Sequence, residues 1–467
     1  MPMPMNRRDV LAGCLAAPML PKSVSAAALE KVADVEALMQ RAVDTGRIGG
    51  LALVAVQDGQ PMRMMTKGKA SLSLDVPVHD RTLFHLGSVG KHVTAAAILR
   101  LVDQARLGID APLSRHIVGI SDAWGARTVH QVLTHCGGLP DYLAPETGLA
   151  PDRPISRERL IALTHELPVI APPGQCWSYS NAGYAMLGLV IESVTGQSYA
   201  DHVATALFGP AGLTESRADD GEAIIPNRAE PYVWANGALR RAPQMSTSVS
   251  SIAAGGVLMA PRDIPRWEHA LDQHLLWSER TANSMLSPWT YADGRSAAYA
   301  AGWAVDDIGG SRCYWHTGFV PGFHSFHYRR PRDRIALMLM ATGSLDIAEL
   351  GFSMVEQIAP GSSPQSLSPV EDRHPDWTEA VRTLVARTAP PSAMLLAPQI
   401  AQMTPEAMHR GLPRLPDAGA DAALALVEDR VSGKDRFRRY RLQLPDRSIH
   451  IQAGHLPDGR VYLLRRT

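Results

Sequence analysis

The sequence predicts an α+β fold: an antiparallel sheet flanked by helices, interrupted by a helical subdomain, with a small C-terminal α+β domain behind it. Strand-like runs cluster at about 49–71 and again at about 297–342, with helical patterns rich in Pro and Gly between them. The two sets are expected to meet in one sheet. A Pro- and Ser-rich segment, "APGSSPQSLSPVEDRHPD" at 359–376, reads as a linker. The expected division is a signal peptide at 1–26, a main domain at 29–360, a linker at 361–376 and a C-terminal domain at 377–467.

The chain opens on "MPMPMNRRDVLAGCLAAPMLPKSVSAAALEK". Arg7 and Arg8 precede a short apolar run from Val10 to Leu20, and the small-x-small pattern "SVSA" ends at Ala26. This is the layout of a secretory leader, and the paired arginines point to the twin-arginine route. Export to the periplasm or the exterior is the expectation. "LAGC" at Leu11–Cys14 also resembles a lipobox, but only five residues separate Arg8 from Cys14, so lipid anchoring is the weaker reading.

Residues 29–45 carry apolar side chains at helical spacing. "GGLALVAVQDGQPMRMMTKGKAS" reads as two strands joined by a hairpin turn at Asp58-Gly59. A helix is expected from Ser88 to about 106, stopped by Gly108. "YAMLGLVIESVTG" is helical and capped by Gly196. "AAYAAGWAVDD", "SRCYWHTG", "FHSFHYRR" and "RIALMLMAT" are short runs broken at Gly309-Gly310, Pro321-Gly322 and 331–333, the pattern of an antiparallel meander. "LDIAELGFSMVEQI" closes the main domain as a helix. Beyond the linker, "WTEAVRTLVAR" and "TPEAMHRGL" read as helices, and "FRRYRLQLP", "SIHIQAGHLP" and "GRVYLLRRT" as strands. No catalytic constellation stands out there, so packing or an auxiliary role is expected.

The 467 residues hold 46 Lys plus Arg and 46 Asp plus Glu. A balanced chain offers no electrostatic reason to expect nucleic acid or an anionic membrane as partner. No later window is apolar for about eighteen residues, so no transmembrane span is expected in the mature chain. The cysteines, Cys14, Cys136, Cys176 and Cys313, fit neither a disulfide framework once a leader is removed nor a zinc pattern. No metal or organic cofactor is implied.

The chemistry concentrates in three places. In "LFHLGSVGKHVTAAAILRLVDQARLGID", Ser88 and Lys91 stand three apart at a helix start, where side chains are neighbours. A serine hydroxyl needs a base, and a lysine serves as one only when burial lowers its pKa. The apolar flanks, Val93 and Ala95 to Ile98, suit that burial. In "PPGQCWSYSNAGYAMLG", Tyr179 could act as acid or base if cations depress its pKa, and Asn181 could hold Lys91 or a substrate carbonyl. In "YWHTGFVPGFHS", His316, Thr317 and Gly318 close a strand. The backbone N–H of Phe319 could complete an oxyanion hole with that of Ser88.

In order, "GSVGK", "YSNAGY" and "HTGFVPGF" resemble the three motifs of the penicillin-recognising serine hydrolases. The resemblance is greatest to the class C β-lactamase branch with its D-alanyl-D-alanine carboxypeptidase, D-aminopeptidase and esterase relatives. "LTHCGGLPDY" (133–142) and "AAGGVLMAPRDIPRW" (253–267) agree with it, and it covers about residues 29–360. The resemblance implies the β-lactamase/transpeptidase-like fold and an acyl-enzyme mechanism on a small-molecule or peptide acyl substrate. It makes Ser88 the nucleophile, Lys91 the base or proton carrier, Tyr179 the second acid/base and Asn181 a lysine or substrate contact, with His316 and Gly318 lining the site. One departure is telling: class C β-lactamases carry lysine where this chain has His316. Histidine is often neutral at pH 7, so a fixed cation for a substrate carboxylate is lost. A peptidase, amidase or esterase is therefore expected before an efficient β-lactamase. The rival reading from another class is a slow-acylating or non-catalytic module that binds peptidoglycan fragments or β-lactams.

Other histidines carry bland expectations. His130 and His135 lack a metal motif and read as loop or packing residues, and His324 and His327 alternate with Phe323 and Phe326 on a strand near His316. The methionines of "MRMMTKG" fit a strand or loop.

Overall fold

The computed structural model describes residues 26–142, 155–220, 223–243, 253–386, 394–397, 423–444 and 448–467. The expected leader up to residue 25 and the expected "TPEAMHRGL" helix lie outside them.

Alternating burial builds the central sheet. In the strand Ile48–Gln57, Leu51 and Leu53 pack to one face, while Ala52, Val54 and Val56 pack to the other. That strand turns through Asp58 and Gly59, both at positive φ as a two-residue hairpin turn requires, into Gln60–Ser71. Its other edge pairs antiparallel with Ile335–Gly343, register Leu53 to Leu339, which joins the two strand sets into one sheet. Across the eight strands the order is Val76–Pro77, Gln60–Ser71, Ile48–Gln57, Ile335–Gly343, Phe323–Arg330, Ser311–Val320, Trp303–Ile308, Tyr299–Ala300. The last two correspond to the single run expected at 297–307, broken at Gly302, whose φ is +79°.

One face of the sheet is covered by the helices Ala26–Asp44 and Ile347–Ile358, through Val35, Met39, Phe352 and Val355. The other face meets the helix Lys91–Asp103, which is buried between the sheet and the helix Asn181–Thr195. The expected start at Ser88 is corrected: Ser88 sits in a 3-10 turn, Gly87–Gly90, with no side-chain cap, and the α-helix begins at Lys91. The end is also earlier. Asp103 is the last helical residue, and Ala105 at φ +55° reverses the chain where Gly108 was expected to stop it.

The C-terminal region holds the helix Pro375–Ala386 and a four-stranded sheet ordered Leu424–Ser432, Asp435–Gln443, Ser448–His455, Val461–Arg466. The first of these strands was not expected. The segment read as a linker is packed: Ser362 and Ser363 are fully buried, and the Val370 N–H donates to the Leu426 carbonyl. One carboxylate of the main sheet holds the second sheet in place. Buried Asp306, on Trp303–Ile308, accepts from Arg439 at 2.8 Å and Gln452 at 3.0 Å and lies 3.6 Å from Arg465, thus reaching three strands. Cys136, Cys176 and Cys313 are buried free thiols.

Candidate active site

The turn carrying Ser88 exists because glycine is at 87. Gly87 has φ +53°, and a Cβ there would lie 2.8 Å from the Phe319 nitrogen. Gly318 permits the same approach from the other side, since its Cβ would meet the Leu86 carbonyl. The turn and the strand Ser311–Val320 are thereby pressed together, with the backbone nitrogens of Ser88 and Phe319 on neighbouring segments. Beneath them, Trp267 donates to His92 Nε2 at 2.8 Å, and His92 Nδ1–H donates to the Val89 carbonyl, which pins the turn from inside.

Lys91 is fully buried. Its Nζ lies 2.7 Å from Asn181 Oδ1, 2.7 Å from the Ala254 carbonyl and 3.3 Å from Ser88 Oγ. Burial lowers its pKa, partly opposed by the Asp141 charge, to about 7. A neutral amine has two hydrogens and one lone pair. Asn181 and Ala254 accept the two hydrogens, which leaves the lone pair facing the Ser88 hydroxyl. Asn181 is held in that orientation because its Nδ2 donates to Asp141 Oδ2 at 2.9 Å.

Tyr179 and Asn181 arrive together at the entry to the helix Asn181–Thr195. Ser180 caps that helix by accepting from the Gly183 N–H and donates to the Pro140 carbonyl at 2.7 Å. The Ser180 N–H donates to His135 Nδ1 at 3.1 Å. His135 takes the packing role of the two expected for it: its ring lies 4.3 Å from that of Tyr179, and burial keeps it neutral. The Tyr179 ring lies 4.8 Å from Lys91 Nζ. Its pKa is not depressed as expected from neighbouring cations. Burial pushes it well above the usual phenol value against an opposing effect of Ser88, and the Asp141 charge adds to the rise, so it holds its proton. A lysine near neutrality cannot offset that burial.

His316 is also neutral. Burial, then the Lys91 charge, lower its pKa to about 3. Its Nδ1 lies 2.6 Å from the Thr317 carbonyl and its Nε2 3.0 Å from the Tyr299 hydroxyl. The carbonyl can only accept, so Nδ1 carries the hydrogen and Nε2 accepts from Tyr299. Ser88, Tyr179, His316, Thr317, Gly318 and Phe319 all line one cavity of about 740 Å³, with Lys91 and Asn181 behind its wall. His324 lines it as well, whereas His327 is buried behind it on Glu268 at 2.8 Å. Sequence reasoning missed Asp141, His92 and the Ala254 carbonyl. Asp141 and Ala254 fall inside the two flanking stretches singled out above, but no spacing rule marks either. Among the described residues no cluster of His, Cys, Asp and Glu could hold a metal ion.

The Beta-lactamase family model matches residues 35–350. "Penicillin-binding protein 4" of Amycolatopsis lactamdurans is 27% identical over 352 residues, covering 68% of this chain and 91% of that protein. "D-aminopeptidase" of Brucella canis is 25% identical over 302 residues, covering 62% of this chain; the match spans just over half, 56%, of that relative. The octameric penicillin-binding protein homologue from Pyrococcus abyssi superposes with a TM-score of 0.62 at 18% identity, over 91% of this chain and 97% of that one, a likeness of fold that includes the C-terminal region.

Proposed function

The chain belongs to the Beta-lactamase family and is a serine hydrolase, and from that premise we propose that it cleaves an amide or ester bond through an acyl-enzyme on Ser88. The observation that carries the reading is the placement of Lys91 Nζ, 3.3 Å from Ser88 Oγ with Asn181 Oδ1 and the Ala254 carbonyl as acceptors for its hydrogens, on an amine whose pKa is about 7. Lys91 takes the Ser88 proton as Oγ attacks the carbonyl carbon. The N–H groups of Ser88 and Phe319 stabilise the oxyanion, a contribution worth about 10² to 10³ per donor. Tyr179, kept protonated by burial, gives its proton to the departing nitrogen or oxygen and recovers one from Lys91. Water then attacks the acyl-enzyme along the reverse path and releases the acid.

D-configured peptides and amides are the favoured substrates, supported by the D-aminopeptidase similarity. Efficient β-lactam hydrolysis is disfavoured because His316 is neutral and supplies no cation. The leader-like N-terminus, Arg7 to Ala26, supports export.

The test is intact-protein mass spectrometry with a fluorophosphonate probe on wild type and Ser88→Ala, followed by turnover of D-amino-acid amides, esters and β-lactams. One adduct on wild type and none on the variant is expected, with kcat in the variant down on the order of 10⁶. Full hydrolytic activity in Ser88→Ala would refute the mechanism. Acylation without turnover of any substrate would favour the binding module.

A further inference from the structure

The cavity holding Ser88 is not closed by the main domain alone. Leu463, Arg465 and Arg466, from the last strand of the C-terminal sheet, line it together with Arg47 and Asp346 of the main domain. The two arginines of that strand differ in what they have left to offer. Arg465 is buried and spends all three nitrogens: Nε on Gln452 Oε1 at 2.8 Å, Nη1 on the Ala298 carbonyl at 2.7 Å, Nη2 on the Val305 carbonyl at 2.6 Å. It is scaffold. Arg466 is about 30% exposed. Its Nη2 engages Asp346, while Nε and Nη1 make no hydrogen bond to any described residue. Asp346 also caps the helix Ile347–Ile358 by accepting from the Glu349 N–H, so it is fixed in position. Arg47 is exposed, lies over the Trp234 ring at 5.8 Å, and has no carboxylate partner among the described residues.

His316 is neutral, and His324, lowered by burial to about 4, is neutral too. Lys91 is withdrawn behind the wall and committed to Ser88. Among the described residues, what faces the open space is Arg47 and Arg466 against the single carboxylate of Asp346, a net positive charge. Guanidinium nitrogens with free hydrogens match a carboxylate in two parallel hydrogen bonds. We propose that Arg466, assisted by Arg47, forms a carboxylate subsite that the C-terminal domain contributes to the active site, so that the enzyme selects acyl substrates carrying a free carboxylate. This rests on the Ser88 acyl-enzyme reading and adds the substrate class to it. It also gives the C-terminal sheet a task, with the Asp306 anchor fixing the register of the strand that carries Arg466.

The experiment compares matched pairs of thioesters in the full chain. In one pair the leaving group is mercaptoacetate or mercaptoacetamide on a phenylacetyl group. In the other the acyl group is succinyl or succinamoyl on a neutral thiol. The readout is the acid-to-amide ratio of kcat/KM. For wild type a ratio of about 10 to 100 is expected in at least one pair, the range of a charge-assisted hydrogen bond. In Arg466→Gln the ratio should collapse towards about one through KM, and Arg466→Lys should restore part of it. Asp346→Asn keeps a capping side chain but removes the competing charge, so its ratio should rise several-fold; this variant decides the matter should Arg466→Gln fold poorly. Wild type labelled by the fluorophosphonate yet indifferent to the carboxylate in both pairs would overturn the subsite and leave the acyl-enzyme intact. A ratio unchanged in Arg466→Gln, or lowered in Asp346→Asn, would overturn it as well. A wild type neither labelled nor active on any thioester would remove the acyl-enzyme reading and the subsite with it.

Discussion

Replacing Asp141 by Asn should move the acid limb of the pH–rate profile without removing a catalytic group. The carboxylate reaches Lys91 through a single side chain: Oδ2 accepts from Asn181 Nδ2 at 2.9 Å, and Asn181 Oδ1 accepts from Lys91 Nζ at 2.7 Å. Spanning one amide, the two charges can be no more than about 8 Å apart. At an effective dielectric constant of about 20, a unit pair at that distance interacts by about 2 kcal/mol, which is about 1 to 1.5 pH units. The sign follows from the roles. Burial lowers the Lys91 pKa and Asp141 raises it, to the net value of about 7. Without the negative charge the ammonium form is less favoured, so Lys91 becomes a free base at lower pH. In wild type kcat/KM should rise with pH through about 7; in Asp141→Asn the rise should come about 1 to 1.5 pH units earlier. An asparagine carbonyl can still accept from Asn181, so the plateau should fall far less than the limb moves. The assay is kcat/KM for a neutral thioester from pH 5 to 9, since that parameter reports the free enzyme. A limb that stays in place would refute the assignment of Lys91 as the titrating base or its coupling to Asp141.

Two further outcomes follow from the packing. Gly87→Ala forces a methyl to within 2.8 Å of the Phe319 nitrogen at a positive φ, and should cost about 1 to 3 kcal/mol in denaturant unfolding and about 10²-fold in fluorophosphonate labelling. Unchanged labelling would show that the turn is not held by this contact. Asp306→Ala takes one of two carboxylate partners from Arg439, which keeps Glu428 at 3.1 Å, and removes the acceptor of Gln452; it should cost about 1 to 3 kcal/mol, with amide exchange rising first in the C-terminal sheet, and uniform exchange across both sheets would argue against a local anchor. In wild type, burial alone would raise the Asp306 pKa, but Arg439 and Arg465 outweigh it and the net shift is downward. Its stabilising contribution is therefore complete above the unfolded value of about 3.9 and is lost as pH falls through the lower folded one, a loss that Asp306→Asn should not show.

What the sequence made legible is local. Ser88 and Lys91 are one helical turn apart, Tyr179 and Asn181 flank a capping serine, and His316 to Phe319 run along one strand, so each group is a short pattern with a chemical reason. What stayed hidden depends on contacts distant in sequence. Asp141 matters because it lies against Asn181, forty residues on. The Tyr179 pKa moves opposite to expectation because burial, which no motif encodes, outweighs the lowering by Ser88, and the nearby Asp141 charge adds to the rise. The strand Leu424–Ser432 is masked by the run Glu428-Asp429-Arg430, which breaks the alternation of apolar residues; those charges are met by Arg439 and Arg436 of the next strand and by Asp307.

The C-terminal region shows how far such contacts can carry function. Read alone, "GRVYLLRRT" is a strand with three basic residues and no chemistry. In the fold, consecutive arginines divide two tasks: Arg465 is consumed in fastening the strand to Ala298, Val305 and Gln452, and Arg466 is left at the rim of the Ser88 cavity with donors that no described residue takes up. The first task makes the second possible, because a guanidinium selects a carboxylate only where its own position is fixed. A neutral His316 on the main sheet and a positive Arg466 on the second sheet are then complementary facts: the cation absent from one wall of the cleft is present on another. A substrate with a carboxylate would have to span from Ser88 towards the C-terminal sheet, so the placement of that sheet sets the length and charge of what can be acylated.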